Sequence, residues 1–323
     1  MNSKNNRISV VIPAYNGGVY LRKAVESVLA QTRLPAEVLV VDDGGTEDAG
    51  GVLSGLGGVT LLRNEMSRGQ GFCRNLGITR STGDLIALCD HDDIWAPGHL
   101  EKVAELLNRF PEAPLAFSRI GLIGAASGCW PADAACVPER PERLFIPLMR
   151  NNFIMPKGTV FRRGLWNEAG PFDESHPLGV DDYRFFLEAA VRHPIVGRRD
   201  PTAFWRIHER QASRDRGPQV AKAFRHRIDM LDIHGARLRD EHLLPAAVAV
   251  TLRCWEEHIE EAWATRNMRY LREMVRFGLG ESRLRQATWP YIWKAGIPNF
   301  MVQGLVAWKA IRPPRESIIQ ARR

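Results

Sequence analysis

The amino-acid sequence predicts an α/β fold, with a mostly parallel central sheet flanked by helices and a helical C-terminal region. Three observations carry that reading. Short apolar runs alternate with stretches of helical spacing through the first 120 residues, the pattern of a parallel sheet covered by helices. Polar and acidic residues gather just after the strand candidates, where open α/β sheets bind their ligands. Beyond residue 218 the chain reads as helical to its end, with no internal repeat or low-complexity tract.

The strand candidates are "ISVVIP" (8–13), "EVLVVD" (37–42), "VTLLR" (59–63), "DLIALC" (84–89) and "PLAFS" (114–118). Each is short and apolar, as strands buried on both faces should be. Between them, 19–31, 46–56, 69–81 and 98–109 show helical spacing or helix formers. From 119 to 160 the pattern is irregular and rich in Gly, Pro and Ala. A helix then starts near Asp181 ("DDYRFFLEAAVRH"), followed by a short strand around "PIVGR" and the polar segment "FWRIHERQASR". These features predict two regions, an α/β domain over 1–214 and a helical, basic, Trp-rich region over 215–323.

At 323 residues, with 45% apolar and 25% charged content, the composition is that of an ordinary globular protein able to bury a real core. "MNSKNNR" leads into the first apolar run without a signal pattern, and five scattered cysteines form no C-x-x-C pair. Both features predict a cytoplasmic protein with free thiols, and they argue against a zinc site built on cysteine. No apolar run approaches the roughly 18 residues that a membrane-spanning helix needs. Residues 1–214 carry 25 Lys/Arg and 25 Asp/Glu, whereas 215–323 carry 19 against 12, so the net charge of +7 lies wholly in the last third.

The densest chemistry follows the fourth strand candidate, in "LIALCDHDDIWAPG" (85–98). Three carboxylates in four positions repel one another unless a cation or a strongly hydrogen-bonding ligand offsets the charge. Mg²⁺ or Mn²⁺ would supply such an offset, as hard cations held by one or two carboxylates together with the phosphates of a substrate. Asp90 and Asp92, two residues apart at a strand end, would point to the same side, with Asp93 free to help. The alternative is a solvated turn with a helix cap before Pro97. Asp42 and Asp43 follow the second strand and either meet a ligand or cap a helix beginning near Thr46. Arg68, Gly69, Arg74 and Asn75 surround a helix start suited to a diphosphate, although a plain surface helix accounts for them equally. Asp181 and Asp182 open another helix, where the helix dipole alone would favour acids.

The motifs "VVIPAYNGGVYLRKAVESVLAQT", "VLVVDDGGTED" and "RGQGFCRNLGITRSTGDLIALCDHDDIWAPGHL" together resemble the family 2 glycosyltransferases, inverting enzymes of the GT-A fold. The resemblance covers roughly residues 7–213, with Gly45 where a serine is usual. It implies a nucleotide-sugar donor, most simply a UDP-sugar, and a divalent metal. Asp43 would meet the nucleobase, with Pro13, Ala14 and Tyr15 as the other wall and Asn16, Arg74, Asp90 and His91 among the donor contacts. Asp92, Asp90 and His208 would hold the metal, with Arg206 on the phosphates. The family's acidic pair, commonly Glu-Asp, stands here as Asp181-Asp182, with Asp182 as the expected general base and Asp181 as the second choice. "QASR" lacks the tryptophan of the Q-x-x-R-W signature of processive synthases, so transfer of one sugar or a few is expected.

From Ala262 to Arg323 there are 12 Lys/Arg and 3 Asp/Glu, interleaved with Trp289, Tyr291, Trp293, Phe300 and Trp308. Cationic and aromatic residues together suit an anionic membrane surface better than nucleic acid, which is not expected as a partner. The competing reading is a helical subdomain with the tryptophans as its core. A lipid-linked glycan acceptor would suit the first. Two other functions compete with glycosyl transfer: sugar-nucleotide nucleotidyl transfer, which needs a more basic loop than "PAYNGGVYLRK", and an inactive nucleotide-sugar-binding module.

Overall fold

The computed structural model describes residues 6–175, 180–208 and 216–291, the side chains of 216–218 excepted. It divides into two compact units, 1–214 and 215–323. In the first unit, β1 (Ile8–Ala14), β2 (Glu37–Asp42), β3 (Val59–Arg63) and β4 (Leu85–Leu88) form a parallel half-sheet in the order β3-β2-β1-β4. Helices α1 (Gly18–Leu29), α2 (Ala49–Leu53) and α3 (Gln70–Arg80) make the crossovers. Every residue of β1 and β4 is buried, which is why their sequences are apolar apart from Ser9, whose hydroxyl donates to Glu37 Oε1 at 2.6 Å. The core gathers Val10, Ile12, Val40 and Ala87 of these strands with Leu21, Val25 and Val28 of α1.

The sheet is mixed rather than parallel throughout. After β5 (Ile94–Trp95), α4 (His99–Arg109), β6 (Leu115–Gly124), β7 (Gly128–Trp130) and α5 (Phe145–Arg150), β8 (Thr159–Arg162) inserts antiparallel between β4 and β6. Helices α6 (Arg163–Ala169) and α7 (Asp181–Arg192) then lead to β9 (Val196–Ile207), which runs parallel to β6 past a bulge at Ser118/Ile120. The short strand around "PIVGR" and the start of the polar segment, as far as Ile207, therefore belong to one 12-residue strand. Its exposed Arg199 and Asp200 interrupt the apolar pattern that would have revealed it.

The expected helix at 46–56 shrinks to α2. Asp48 caps it through Gly51 N, and the capping role considered for Asp42 and Asp43 does not arise. Asp42 instead pairs with Arg63 at 2.9 Å.

The second unit contains α8 (Arg216–Ile233), α9 (Gly235–Asp240), α10 (Leu244–Ala264), α11 (Met268–Gly280) and α12 (Ser282–Thr288). Phe224, Ile228, Trp255, Ile259, Leu271, Met274, Val275, Leu279 and Leu284 form its core. Trp255 is fully buried and its indole N–H donates to Thr288 Oγ1 at 2.8 Å. Trp263 and Trp289 are exposed. Trp293, Phe300 and Trp308 lie outside the described residues.

Candidate active site

The strand β4 stops at Leu88, and residues 90–93 form a turn in which Asp93 N donates to Asp90 O at 3.2 Å. Strand alternation therefore does not govern Asp90 and Asp92, and the argument that both point to one side fails on that ground. Their partners separate them. Asp90 Oδ1 accepts from Arg74 Nη2 at 2.7 Å, and Oδ2 lies 3.2 Å from Lys157 Nζ. Asp93, fully buried, lies 2.6 Å from the same ammonium and accepts from Arg206 N at 2.8 Å. Asp92 faces His208, with Oδ2 and Nε2 2.9 Å apart and both side chains partly exposed. Burial works against ionisation of Asp90, but Lys157 and Arg74 hold its carboxyl well below the usual range. Asp90, expected to be a metal ligand and donor contact, thus has both oxygens committed to buried cations.

Arg74 is corrected in the same way. Its guanidinium is 2% exposed, with Nη2 on Asp90 and Nη1 on Asp181 at 2.5 Å, so it is an internal tie rather than a surface contact for phosphate. It occupies the core face of α3 together with Gly71, Cys73, Gly77 and Ile78. By this tie α3 connects the 90–93 turn to the first turn of α7. Asp182, next in the chain, is buried and has no ion-pair partner among the described residues. Burial first, and then the charge of Asp181, push its carboxyl up to about 7 against the pull of Arg74. Four buried carboxylates (Asp90, Asp93, Asp181 and Asp182) thus surround two buried cations, Arg74 and Lys157.

Beside this network lies a cleft. A cavity of about 460 Å³ is lined by Tyr15, Asn16, Gly17, Gly18, Val19, Tyr20, Glu47, His91 and His208. A narrower one, sharing Tyr15 and His91, is lined by Pro13, Ala14, Asp43, Gln70 and Cys73. The expected wall residues Pro13, Ala14, Tyr15 and Asp43 therefore do meet at one place. Arg206 Nε donates to Asp92 O at 3.1 Å, and its guanidinium lies 4.9 Å from the Tyr20 ring, so it braces the turn from β9. The segment "QASR" lies outside the described residues.

Asn16, in the left-handed region at φ 49°, turns its Oδ1 onto Thr46 N at 2.8 Å and Glu47 N at 3.1 Å. That oxygen staples the loops after β1 and β2 and is not available to a ligand. A Cβ on Gly45 would lie 2.5 Å from it, which accounts for glycine where a serine is usual. Lys157, Gln70, Tyr20 and Glu47 went unseen in the sequence. For Lys157 a signal exists, since it is a lone cation in the apolar stretch "NNFIMPKGTVF".

The fold is that of the GT-A class. S. aureus TarS 1-349 in complex with UDP-GlcNAc superposes with a TM-score of 0.67 over 93% of this chain and 84% of that one, at 17% identity, a likeness of fold. The family model "Glycosyl transferase family 2" matches residues 9–168, and the chain belongs to that family. An uncharacterized glycosyltransferase of Nostoc sp. is 36% identical over 110 residues, covering 31% of this chain and 32% of the relative. The Bacillus subtilis glycosyltransferase YwdF is 29% identical over 195 residues, covering 58% and 70%. The chain thus spans about a third of the first relative's length and 70% of the second's.

Proposed function

We propose that the protein is an inverting, metal-dependent glycosyltransferase. It moves a sugar from a nucleotide sugar, of the UDP type, to a hydroxyl of a glycan or lipid-linked glycan in cell-surface polysaccharide synthesis. The observation that supports this most is the Asp90–Arg74–Asp181 tie. It holds Asp182, an acid with no ion-pair partner among the described residues, within electrostatic reach of the turn that carries Asp92.

The donor set at the cleft fits a divalent ion. Among the described residues no group of three or more His, Cys, Asp or Glu is assembled to cage a metal. Asp92 and His208 supply one carboxylate and one imidazole 2.9 Å apart, leaving the remaining positions to diphosphate oxygens and water, as Mg²⁺ and Mn²⁺ accept. When bound there, the ion would neutralise charge growing on the leaving diphosphate. The chain does the rest. Pro13, Ala14 and Tyr15 seat the base, and Arg206 and Lys157 fix the turn that presents Asp92. Asp181, locked to Arg74, acts as a positioning residue for Asp182. Asp182 takes the acceptor's hydroxyl proton as its oxygen bonds to the anomeric carbon and the bond from that carbon to the diphosphate breaks. A carboxyl poised near neutral pH suits that exchange. The exposed basic residues of the C-terminal unit would hold the enzyme on an anionic membrane surface, the cytoplasmic face, where a lipid-linked acceptor is presented.

The test is thermal stabilisation by UDP-, GDP-, CDP- and dTDP-sugars, each with and without Mn²⁺ or Mg²⁺. One donor should raise Tm only when metal is present, and acceptor hydroxyls can then be tried with that donor. No stabilisation by any donor with either metal would overturn the proposal.

A further inference from the structure

We propose that Asn75 is a positioning residue that clamps the strap 172–174 against the first turn of α7 and so sets where Asp182 stands; this rests on the glycosyl-transfer reading above. Asn75 is buried on α3, next to Arg74. Its carboxamide pairs with the Phe172 peptide as a neighbouring strand would. Nδ2 donates to Phe172 O at 2.9 Å, and Oδ1 accepts from Phe172 N at 2.9 Å. The second amide hydrogen goes to Glu174 Oε1 at 2.8 Å. Both donors of the side chain are therefore spent on the strap, and neither is left for a diphosphate.

What the strap holds is the start of α7. The Phe172 ring is buried and lies 4.8 Å from that of Phe185, a turn beyond Asp182. Asp173 N donates to Asp181 O at 3.4 Å. A Cβ on Gly71 would meet Asp173 O at 2.5 Å and Asp181 Cβ at 3.1 Å, so α3 lies against the strap and the helix start together. With Arg74 on Asp181, two successive residues of α3 grip α7. The grip has a strain to resist. Val180, just before Asp181, sits at φ 60° and ψ 11°, the left-handed region that a β-branched residue rarely adopts. No side chain caps the helix there. Such a conformation persists only where its surroundings over-determine it. Released, Val180 would relax to negative φ and turn Asp181 and Asp182 away with it.

The experiment compares wild type, Asn75→Leu, Val180→Gly and their double variant as full chains. Asn75→Leu removes the three bonds at similar volume, and glycine at 180 takes the left-handed conformation without strain. Ser9→Ala, which loses bonds to Glu37 and Gly83 at the other end of β1, controls for stability alone. Asn75→Leu should speed amide exchange in 172–175 and 181–186 by about tenfold. With the donor and acceptor found by the screen above, its kcat should fall by up to about a hundredfold, the cost of misplacing a reacting group. Its affinity for UDP with Mn²⁺, read by calorimetry, should stay within about twofold. Val180→Gly should change little alone, yet bring the double variant back to within about threefold of wild type in exchange and kcat. Ser9→Ala should lower Tm and leave kcat unchanged. Wild-type exchange and kcat in Asn75→Leu overturn the assignment. So does a kcat loss that Ser9→Ala reproduces at equal Tm, or a double variant no better than Asn75→Leu. If Asn75→Leu does not fold, Asn75→Asp, which keeps the bond from Phe172 N, is judged by the same outcomes. If wild type turns over no donor, the glycosyl-transfer reading falls by itself. Exchange and the coupling of positions 75 and 180 in Tm then decide the clamp.

Discussion

At the scale of single residues, the two neighbouring acids of α7 differ by their partners. Asp181 has an arginine at 2.5 Å, while Asp182 has burial and a like charge beside it. Asp182→Asn should keep donor affinity within a few-fold and reduce turnover by about 10²–10⁴, the usual contribution of a positioned base. The base must be ionised to act, so wild-type kcat/KM should rise with pH through about 7 and level off above it. The stability sign is opposite. A carboxyl whose folded pKa is raised stabilises fully below its unfolded value, about 4, and loses that contribution as pH climbs through about 7. Asp182→Asn should therefore gain Tm relative to wild type over that window. A Tm difference that is flat with pH would refute the shift. Asp92→Asn should abolish transfer and weaken metal-dependent nucleotide binding, measured by calorimetry with and without Mn²⁺. The residue types of this site were legible as an acidic cluster after a strand and an acidic pair at a helix start. Their pairing was not, because Lys157 lies 64 residues past Asp93 in an irregular stretch and approaches it only through the fold. Arg74 gave a usable sign, a charge on the core face of a helix three residues after Gly71 and four before Ile78.

At the scale of elements, the first four strands were readable because each is a short, mostly apolar run in a parallel half-sheet, buried throughout in β1 and β4 although partly exposed in the edge strand β3. Strand β8 was not, since it lies at the end of the irregular stretch rich in Gly, Pro and Ala, and β9 was readable only at its start because exposed charges break it. What they bring to the site is rigidity. Lys157 immediately precedes Gly158 and β8, and its backbone carbonyl accepts from Trp95 Nε1 at 2.7 Å, tying the β8 entry to β5. Lys157→Met would strand Asp90 and Asp93 without their shared cation, and removing one partner of a buried pair costs about 3–5 kcal/mol. Urea unfolding should show that loss, and a change under 1 kcal/mol would mean the two acids are protonated and need no cation. The docking of α3 on β1 makes a similar demand. A Cβ on Gly77 would lie 2.3 Å from Val11 Cγ1, so Gly77→Ala should destabilise by about 1–3 kcal/mol despite alanine's better helix propensity. Since α3 also carries Arg74, that variant should lose turnover along with stability.

At the scale of the whole molecule, the charge asymmetry lies in a unit with its own core. Cutting the chain near residue 261 would remove Leu271, Met274, Val275, Leu279 and Leu284 from Phe224, Trp255 and Ile259, so such a cut tests folding rather than surface chemistry. The amphipathic helix α11 gives a cleaner handle. Tyr270, Leu271, Met274, Val275, Gly278 and Leu279 face inward, while Arg269, Arg272 and Arg276 are exposed at spacings of three and four, which place them on one face. No helix among the described residues is long and apolar enough to cross a membrane, so attachment through this unit would be by its surface. Each basic residue near an anionic bilayer contributes about 1 kcal/mol, screened by salt. Replacing all three by alanine should therefore weaken vesicle binding by roughly a hundredfold. Wild type should co-sediment with phosphatidylserine-containing vesicles, ignore phosphatidylcholine alone, and dissociate as salt rises. The triple variant should stay in the supernatant at unchanged Tm and unchanged nucleotide affinity, because the candidate site lies in the first unit. Equal binding of wild type and the triple variant would move the attraction off α11. Indifference of wild type to both vesicle types would leave the exposed arginines as a solvated face.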